Sequence, residues 1–466
     1  MKDQVKQIHF VGIGGVGMAG IAEVCVSSGF TVSGSDIKEN PTILHLRQLG
    51  AKIQLGHDAA YVQQSDVVVI STAISDDNPE VVYAKKCRIP VIPRAAMLAE
   101  LMRMRFGIAI AGTHGKTTTT SLVAAILTQG GLDPTFVIGG KLNQFDSNAR
   151  LGSSHYLVAE ADESDASFLH LSPMMSVVTN IDEDHMATYQ GDYQNLENTF
   201  IEFIHRLPFY GLAIVCGDDQ NIQTLLPKLS RKIRTYGQGE HNDLRATHVV
   251  QTGLKMHFTV EQEGQSPFEV TLNQPGIHNV LNALAAIVVA LELKVSKKDI
   301  QVALAQFGGV GRRFEVYPNC RLGGKKVTLV DDYGHHPTEL LATLETAKNA
   351  FPDQRLVLVF QPHRYSRTRD LFDEFVLALM KADLVVLLDV YAAGETPIAA
   401  FDSKALLQAM RLRGHKDNLH VETPLELDGL TENLLLEKDV VLVMGAGDIG
   451  GIAKQWKQKV EKDEHQ

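Results

Sequence analysis

Residues 107–120 read GIAIAGTHGKTTTT. The apolar run Gly107–Ala111 has strand character, and the pattern from Lys116 to about Thr128 is helical. Between them lies a turn with glycines at 112 and 115. A strand, a glycine turn and a helix in that order build an anion site, because backbone N–H groups at a helix start point at the ligand. The stretch approaches a P-loop, but the full spacing needs glycine at position 110, where Ile110 stands. The working parts remain. Gly112, Thr113, His114 and Gly115 can wrap phosphate oxygens, Lys116 can reach the β- and γ-phosphates, and Thr117, followed by Thr118, can ligate Mg²⁺.

The same unit recurs on both sides. Upstream, strand Ile8–Val11 precedes Gly12, Gly14, Gly15 and Gly17, which fit G-x-G-x-x-G, and a helix from about Val16 to Ser28 follows. Strand Thr31–Ser33 leads to Asp36, an acceptor for a ribose or a base. Strand Val67–Ile70, with Ser71 and Thr72 behind it, and helices near Pro79–Lys86 and Ala95–Met104 complete this part; Pro90 and Pro93 read as punctuation. Downstream, Arg231–Leu272 changes to short alternating runs, read as an antiparallel patch, and Val280–Leu293 reads as a buried helix. Gly308, Gly309 and Gly311 mark a hinge. Beyond it come strands Val327–Val330, Leu356–Phe360, Leu384–Leu388 and Val440–Met444, a second G-x-G-x-x-G at Gly445–Gly450, and a charged tail at Lys457–Gln466. Alternation of strand and helix throughout predicts an α/β fold.

Composition sets the outer limits. A chain of 466 residues is long enough for about three domains. It is 44% hydrophobic and 21% charged, an ordinary globular balance. A formal net charge of -11 disfavours general nucleic-acid or anionic-membrane binding. Four cysteines, Cys25, Cys87, Cys216 and Cys320, show no CxxC spacing, which fits a reducing cytoplasm. No apolar run reaches the ~18 residues of a membrane helix. Lys2 and Lys6 precede an apolar stretch, but the glycines break it, so it reads as a turn rather than a leader.

Further chemistry gathers at the ends of strands, which converge on one crevice in an open α/β sheet. Glu160-Ala-Asp162-Glu163-Ser-Asp165 follows strand Tyr156–Ala159, and such a carboxylate cluster calls for a cation. His185 ends Thr179-Asn180-Ile-Asp182-Glu-Asp184-His185, behind strand Met175–Thr179, as a metal ligand or phosphate contact. Gly276-Ile-His278-Asn279-Val-Leu-Asn282 opens the apolar helix, and its amides can pair an adenine edge. In the last third, Arg312-Arg313 can reach phosphates. Asp331-Asp332-Tyr333-Gly-His335-His336 and Gln361-Pro-His363-Arg364-Tyr-Ser-Arg367 follow strands, and Arg364 with Arg367 can grip a carboxylate.

Taken in order, GIGGVGM, GTHGKTTTT, AEADESDASF, TNIDEDHM, GIHNVLNALAA, GRRF, DDYGHHPTE, FQPHRYSRTRDLF, YAAGE and GAGDIG span nearly the whole chain and resemble the Mur ligase family. The resemblance implies three domains: a Rossmann-like UDP-sugar domain (1–106), a P-loop-like ATPase with a small antiparallel patch (107–311) and a Rossmann-like amino-acid domain (312–466). It implies a cytoplasmic bacterial enzyme of peptidoglycan precursor synthesis, a monomer or weak homodimer, without nucleic-acid or membrane partners. In the branch whose motifs are nearest, ATP phosphorylates the lactyl carboxylate of UDP-N-acetylmuramate, and L-alanine attacks the acyl phosphate. Lys116 then matches the phosphate-binding lysine, and Thr117, Glu160 and His185 the Mg²⁺ positions, where Mn²⁺ can substitute. His278, Asn279 and Asn282 match the adenine side, and Arg313 and Asp332 nucleotide contacts. Tyr333, His335, Arg364 and Arg367 match the region that holds the amino acid, with His335 able to take the amine proton. Gly12–Gly17, Asp36, Ser71 and Thr72 match the UDP side. Later-acting members carry a carbamylated lysine downstream of the His185 position, but this chain has no lysine from Met186 to Pro227.

Three other readings compete. A recycling ligase would attach a whole murein peptide and need a wider amino-acid pocket. A nicotinamide-dependent oxidoreductase would use only the first glycine motif. A nucleotide-sensing regulator would leave Glu160 and His185 idle.

Overall fold

The computed structural model describes residues 4–145 and 147–463. They divide into two compact units, one of residues up to Val249 with Phe258–Leu272 and Asn279–Gly308, the other of Val250–His257, Asn273–His278 and the chain from Gly309 onward. Three sheets carry the chain. The division falls at Gly308/Gly309, within the glycine group read as a hinge.

The first sheet runs Lys52–Leu55, Thr31–Asp36, Gln7–Val11, Val67–Ile70, Val91–Pro93, all parallel. This is the order of a Rossmann half, with the switch point beside the strand that precedes the first glycine turn. Of its inner strands Val67–Ile70 is a continuous apolar run, whereas Gln7–Val11 and Thr31–Asp36 carry the buried polar residues His9 and Ser35. Val91–Pro93 was read only as proline punctuation. It is an edge strand, where a missing N–H costs no ladder bond. Helix Pro41–Gln48 was also missed, although Asn40 caps it by accepting from Ile43 N and proline stands at its start.

The second sheet has ten strands centred on Phe106–Ala111, which lies between Met175–Val178 and Tyr156–Glu160, parallel to both. The region read as antiparallel is so only in part. Lys232–Gly237 pairs in parallel with Leu212–Cys216, and the ladder reverses only beyond it, at Leu244–Thr252 and Lys255–Gln262. Gly253 and Leu254 alone join these neighbours, a connection open only to antiparallel strands. The apolar segment is helix Ile277–Glu292, buried along most of its length.

The third sheet runs Glu315–Leu322, Lys325–Asp332, Val440–Met444, Leu356–Phe360, Leu384–Leu388, Asn418–Val421, parallel except for its first strand. That strand escapes a pattern search because Pro318 interrupts it. The proline sits where the register shifts between Tyr317 and Cys320, on a sheet edge. Val330, Leu358, Phe360 and Leu442 face one apolar layer, and Leu329, Val357, Val359 and Val443 the other. Helix Gly450–Asp463 covers the second layer with Trp456 and takes in the first part of the charged tail. Residues 464–466 of that tail, and Lys2, lie outside the described residues.

Beneath the first glycine turn lies a buried polar knot. Glu80, fully buried, accepts from His9 Nε2 (3.0 Å), Ser35 Oγ (2.8 Å), His57 Nδ1 (3.2 Å) and Asp58 N (3.2 Å). Ser35 O in turn accepts the amides of Gly12 and Ile13. Burial works against the charge of Glu80, but the donors from His9, Ser35 and His57 outweigh it and hold the carboxyl below the usual range. Glu80→Gln is expected to lower unfolding free energy by about 3 kcal/mol at pH 7, as for a broken buried pair. A depressed carboxyl stabilises fully above its ordinary 4.5 and loses that contribution as pH falls through its folded value. Urea titrations should therefore show the gap between variant and parent closing below pH 4.5, and a gap independent of pH would show that Glu80 is not ionised in the fold.

Candidate functional site

The Lys116–Gln129 helix starts from Gly115, whose φ of 81° suits glycine. Gly112 has φ 128°, and a Cβ there would overlap Thr179 Oγ1 and stand 3.0 Å from Asn180 O. Asn180 closes the turn: its Oδ1 accepts His114 N (2.8 Å) and its Nδ2 donates to His114 O (3.0 Å). The loop is thus shaped by a side chain from the next strand end, which the sequence reading had placed in a motif without a role. Asn282 buttresses the other side. Its Oδ1 accepts from Thr119 Oγ1 at 3.2 Å and would lie 2.5 Å from a Cβ on Gly115, and its Nδ2 donates to Asn279 Oδ1. The two asparagines read as adenine contacts therefore support the loop. His278 belongs to the other unit, where burial pushes its imidazole down to about 4, so it is neutral at working pH.

Lys116 Nζ donates to Gly112 O (2.7 Å) and Thr113 O (3.0 Å) and pairs with Glu163 at 2.8 Å. Burial disfavours the ammonium, but Glu163 outweighs this and raises its pKa above the ordinary 10.5. Burial pushes the Glu163 carboxyl up to about 7. Glu163 was not singled out from the sequence. Its signal was the apolar Tyr156–Glu160 strand running straight into a buried acid, and nothing in the residue order distinguishes that acid from its exposed neighbours.

A cavity of about 370 Å³ opens beside this lysine. Gly12, Gly15 and Gly17 line it together with Ser71, Lys116 and Glu160. Thr72 stands exposed beside Ser71. Gly14 faces the other way, where a Cβ would lie 2.9 Å from Asp36 Oδ2. Asp36 accepts from Gly14 N at 2.8 Å, so it clamps the glycine turn, where the sequence suggested a ribose contact. Arg94, also missed, joins the two strand-end systems. Its Nη2 donates to Asp162 Oδ2 at 3.2 Å, and its Nη1 would be 2.7 Å from a Cβ on Gly17. Only glycine at 17 admits the guanidinium.

Glu160 projects from its strand end against Gly139, where a Cβ would stand 2.5 Å from Oε2. Its carboxylate and the Thr117 hydroxyl on the adjacent helix start are hard oxygen donors, suited to Mg²⁺. His185 sits in a left-handed turn (φ 54°) with Nε2 3.5 Å from Asp184 Oδ2. Among the described residues, no group of three His, Cys, Asp or Glu ligand atoms within 4.8 Å includes Glu160 or His185. A Mg²⁺ ion here would take few protein ligands and complete its shell with phosphate oxygens or water.

The other unit assembles its own cluster at the ends of the third sheet. Buried Asp332 accepts from Phe314 N and Gly334 N, both at 2.7 Å, and burial raises its carboxyl pKa. Two guanidinium groups approach the Tyr333 ring, Arg312 at 5.1 Å and Arg313 at 5.2 Å from its centroid. The rings of Tyr333, His335, His363 and Tyr391 form a chain with centroids 5.4, 5.6 and 5.4 Å apart. Arg364 is exposed at a helix start, whereas Arg367 is buried with Nη1 3.4 Å from His363 O. The two arginines read as one fork therefore face different surroundings.

Family models match almost the whole chain: "Mur ligase family, catalytic domain" over residues 7–106, "Mur ligase middle domain" over 110–290 and "Mur ligase, glutamate ligase domain" over 312–447. The chain is 79% identical to the UDP-N-acetylmuramate–L-alanine ligase of Hydrogenovibrio crunogenus, covering 98% of this chain and 100% of that one. It is 55% identical to the ligase of the same name from Methylococcus capsulatus, covering 98% and 97%. The crystal structure of the UDP-N-acetylmuramate–alanine ligase of Thermotoga maritima superposes with a TM-score of 0.82 at 30% identity, over 98% of this chain and 99% of that one. A murein peptide ligase from Psychrobacter arcticus gives 0.71 at 25% identity, over 98% of each. Fold, glycine turns and near full-length identity agree, and the chain belongs to the Mur ligase family.

Proposed function

We infer that this chain is an ATP-dependent ligase that joins L-alanine to the lactyl carboxylate of UDP-N-acetylmuramate, releasing ADP and phosphate, in peptidoglycan precursor synthesis. The observation that carries the site assignment is the shared cavity of the first glycine turn and Lys116. A carboxylate is a poor electrophile, and phosphorylation turns its oxygen into a leaving group. The donor and acceptor must therefore meet, and here the UDP-side turn and the phosphate-binding lysine line one wall. Lys116 stabilises charge on the transferring phosphoryl group. Thr117, Glu160 and His185 are the residues that would hold Mg²⁺, or Mn²⁺ in its place, which neutralises phosphate charge when bound. Arg94, which lines the same cavity, is the cation we assign to the diphosphate of the sugar nucleotide. Tyr333, His335 and Arg364 receive L-alanine, with His335 taking the amine proton. Arg313 and Asp332 serve the nucleotide.

The family-model matches support functional divisions near 106/107 and 311/312. Among the described residues no helix is long and apolar enough to cross a membrane. We assign the enzyme to the cytoplasm, as a monomer or weak homodimer. ADP release with UDP-N-acetylmuramate tests the assignment. It should require L-alanine and respond weakly to a murein tripeptide; release driven by the tripeptide in preference to L-alanine would identify a recycling ligase.

A further inference from the structure

The turn Gly445–Gly450 fits the same G-x-G-x-x-G pattern as the first glycine turn. It follows the central strand Val440–Met444 and opens helix Gly450–Asp463. Such a turn ordinarily leaves amides free for a phosphate. Here the protein fills it. Gln361 Oε1 accepts Ile449 N at 3.2 Å, and Gln361 Nε2 donates to Asp448 Oδ1 at 2.7 Å. A Cβ on Gly447 would come 2.8 Å from Tyr391 Cγ, and one on Gly450 would come 2.6 Å from both terminal nitrogens of Arg312. Arg312 Nη2 donates to Gly445 O at 2.6 Å.

A cation at a helix start opposes the helix dipole, so local electrostatics do not explain Arg312 there. Its other contacts do. Its Nε lies 3.5 Å from Asp331 Oδ1, its amide donates to Glu315 Oε2 at 3.0 Å, and its carbonyl accepts Tyr333 N at 2.8 Å. Its guanidinium faces the Tyr333 ring, and Arg313 is also near that ring. Both arginines are held by their backbone, Arg313 through Val310 O and Gln274 Nε2, but their guanidinium groups differ: that of Arg312 reaches Gly445 O and Asp331, and that of Arg313 makes a 3.8 Å approach to Glu339.

We propose that the third glycine turn is a seat for Arg312, and that Arg312 is a positioning residue that fixes Tyr333 and thereby presents Arg313 to the ATP phosphates. This rests on the ATP-dependent ligase reading and deepens it. Gly450→Ala should unseat the guanidinium, because the added methyl occupies its place. Steady-state kinetics on Gly450→Ala, Arg312→Ala and the double variant should show the KM for ATP raised roughly tenfold in each single variant, with a smaller change in kcat. The double variant should be no worse than the worse single one, because both remove one seating. Arg312→Lys should not rescue, since an ammonium cannot bridge Gly445 O and the Tyr333 face together. Trp456, the sole tryptophan, lies buried on the same helix, so its fluorescence reports whether that helix stays packed. An unchanged KM for ATP in Gly450→Ala, or additive losses in the double variant, overturns the seat. Should Gly450→Ala lose the Trp456 signal, Arg312→Ala decides: an unchanged KM for ATP overturns the proposal. A parent enzyme that releases no ADP with L-alanine would instead overturn the functional reading.

Discussion

Lys116→Ala is expected to abolish ATP-dependent ligation, with turnover reduced by at least ~10²–10³-fold. The half-buried ammonium is the positive charge of the glycine turn, and the loop around it is fixed by Asn180 and Asn282. Arg94, the other cation lining the cavity, is engaged with Asp162. Single-turnover formation of acyl phosphate should fall with the steady-state rate, because the loss is in the chemical step. Near-normal turnover in the folded variant would remove Lys116 from the phosphate site.

The same substitution costs stability, because half-buried Lys116 pairs at 2.8 Å with buried Glu163. Removing the lysine leaves the buried Glu163 carboxyl without its cation, a loss of about 2–3 kcal/mol once the exposure of Lys116 is discounted. Glu163 alone, pushed up by burial, binds its proton more tightly in the folded than in the unfolded chain. Stability of Lys116→Ala should therefore fall as pH rises above the ordinary carboxyl value of 4.5. Adding Glu163→Gln should restore much of the stability without restoring activity. If the double variant is no more stable than Lys116→Ala at pH 8, Glu163 is not the source of the cost.

What the sequence made legible follows from where each signal resides. Strands buried on both faces, such as Leu356–Phe360 and Val440–Met444, are uninterrupted apolar runs and were read to the residue. Edge strands carrying proline were not, since Pro93 and Pro318 are compatible with a strand only where a neighbour is missing or the register slips. Glycine turns revealed the site because each glycine answers a steric demand. Residue order does not tell which way a polar side chain turns. Asp36, Asn279 and Asn282 were read as ligand contacts and bond to protein, while Glu163 was read only as one acid of a cation-binding cluster and Arg94 not at all, because their partners are distant in the chain.

The same distinction separates the two arginines of the last domain. Arg364 is exposed and opens its helix with φ 72° and ψ 134°, a region costing a non-glycine residue about 1–3 kcal/mol. Its amide is pinned to Tyr391 O at 2.8 Å, and Tyr391 stacks on His363, next in the ring chain to His335. Strain held in place by a bond beside a histidine cluster suits a residue aimed at a ligand. L-alanine offers one methyl, worth about 1 kcal/mol, so its recognition must rest on the carboxylate. A guanidinium fork supplies two charge-assisted bonds of about 1.5–3 kcal/mol each. Arg364→Ala should therefore raise the KM for L-alanine roughly 10²-fold while that for ATP changes little. Arg364→Lys should recover only part, because an ammonium gives one contact where the fork gives two. Arg367 is 7% exposed, so Arg367→Lys should lower the melting temperature first and weaken L-alanine less than Arg364→Ala does. Paired measurements of KM for both substrates with thermal denaturation separate these outcomes. Equal weakening of ATP and L-alanine by Arg364→Ala would place that arginine on the nucleotide, and a larger L-alanine defect in Arg367→Lys would show that the buried guanidinium turns outward to grip the carboxylate.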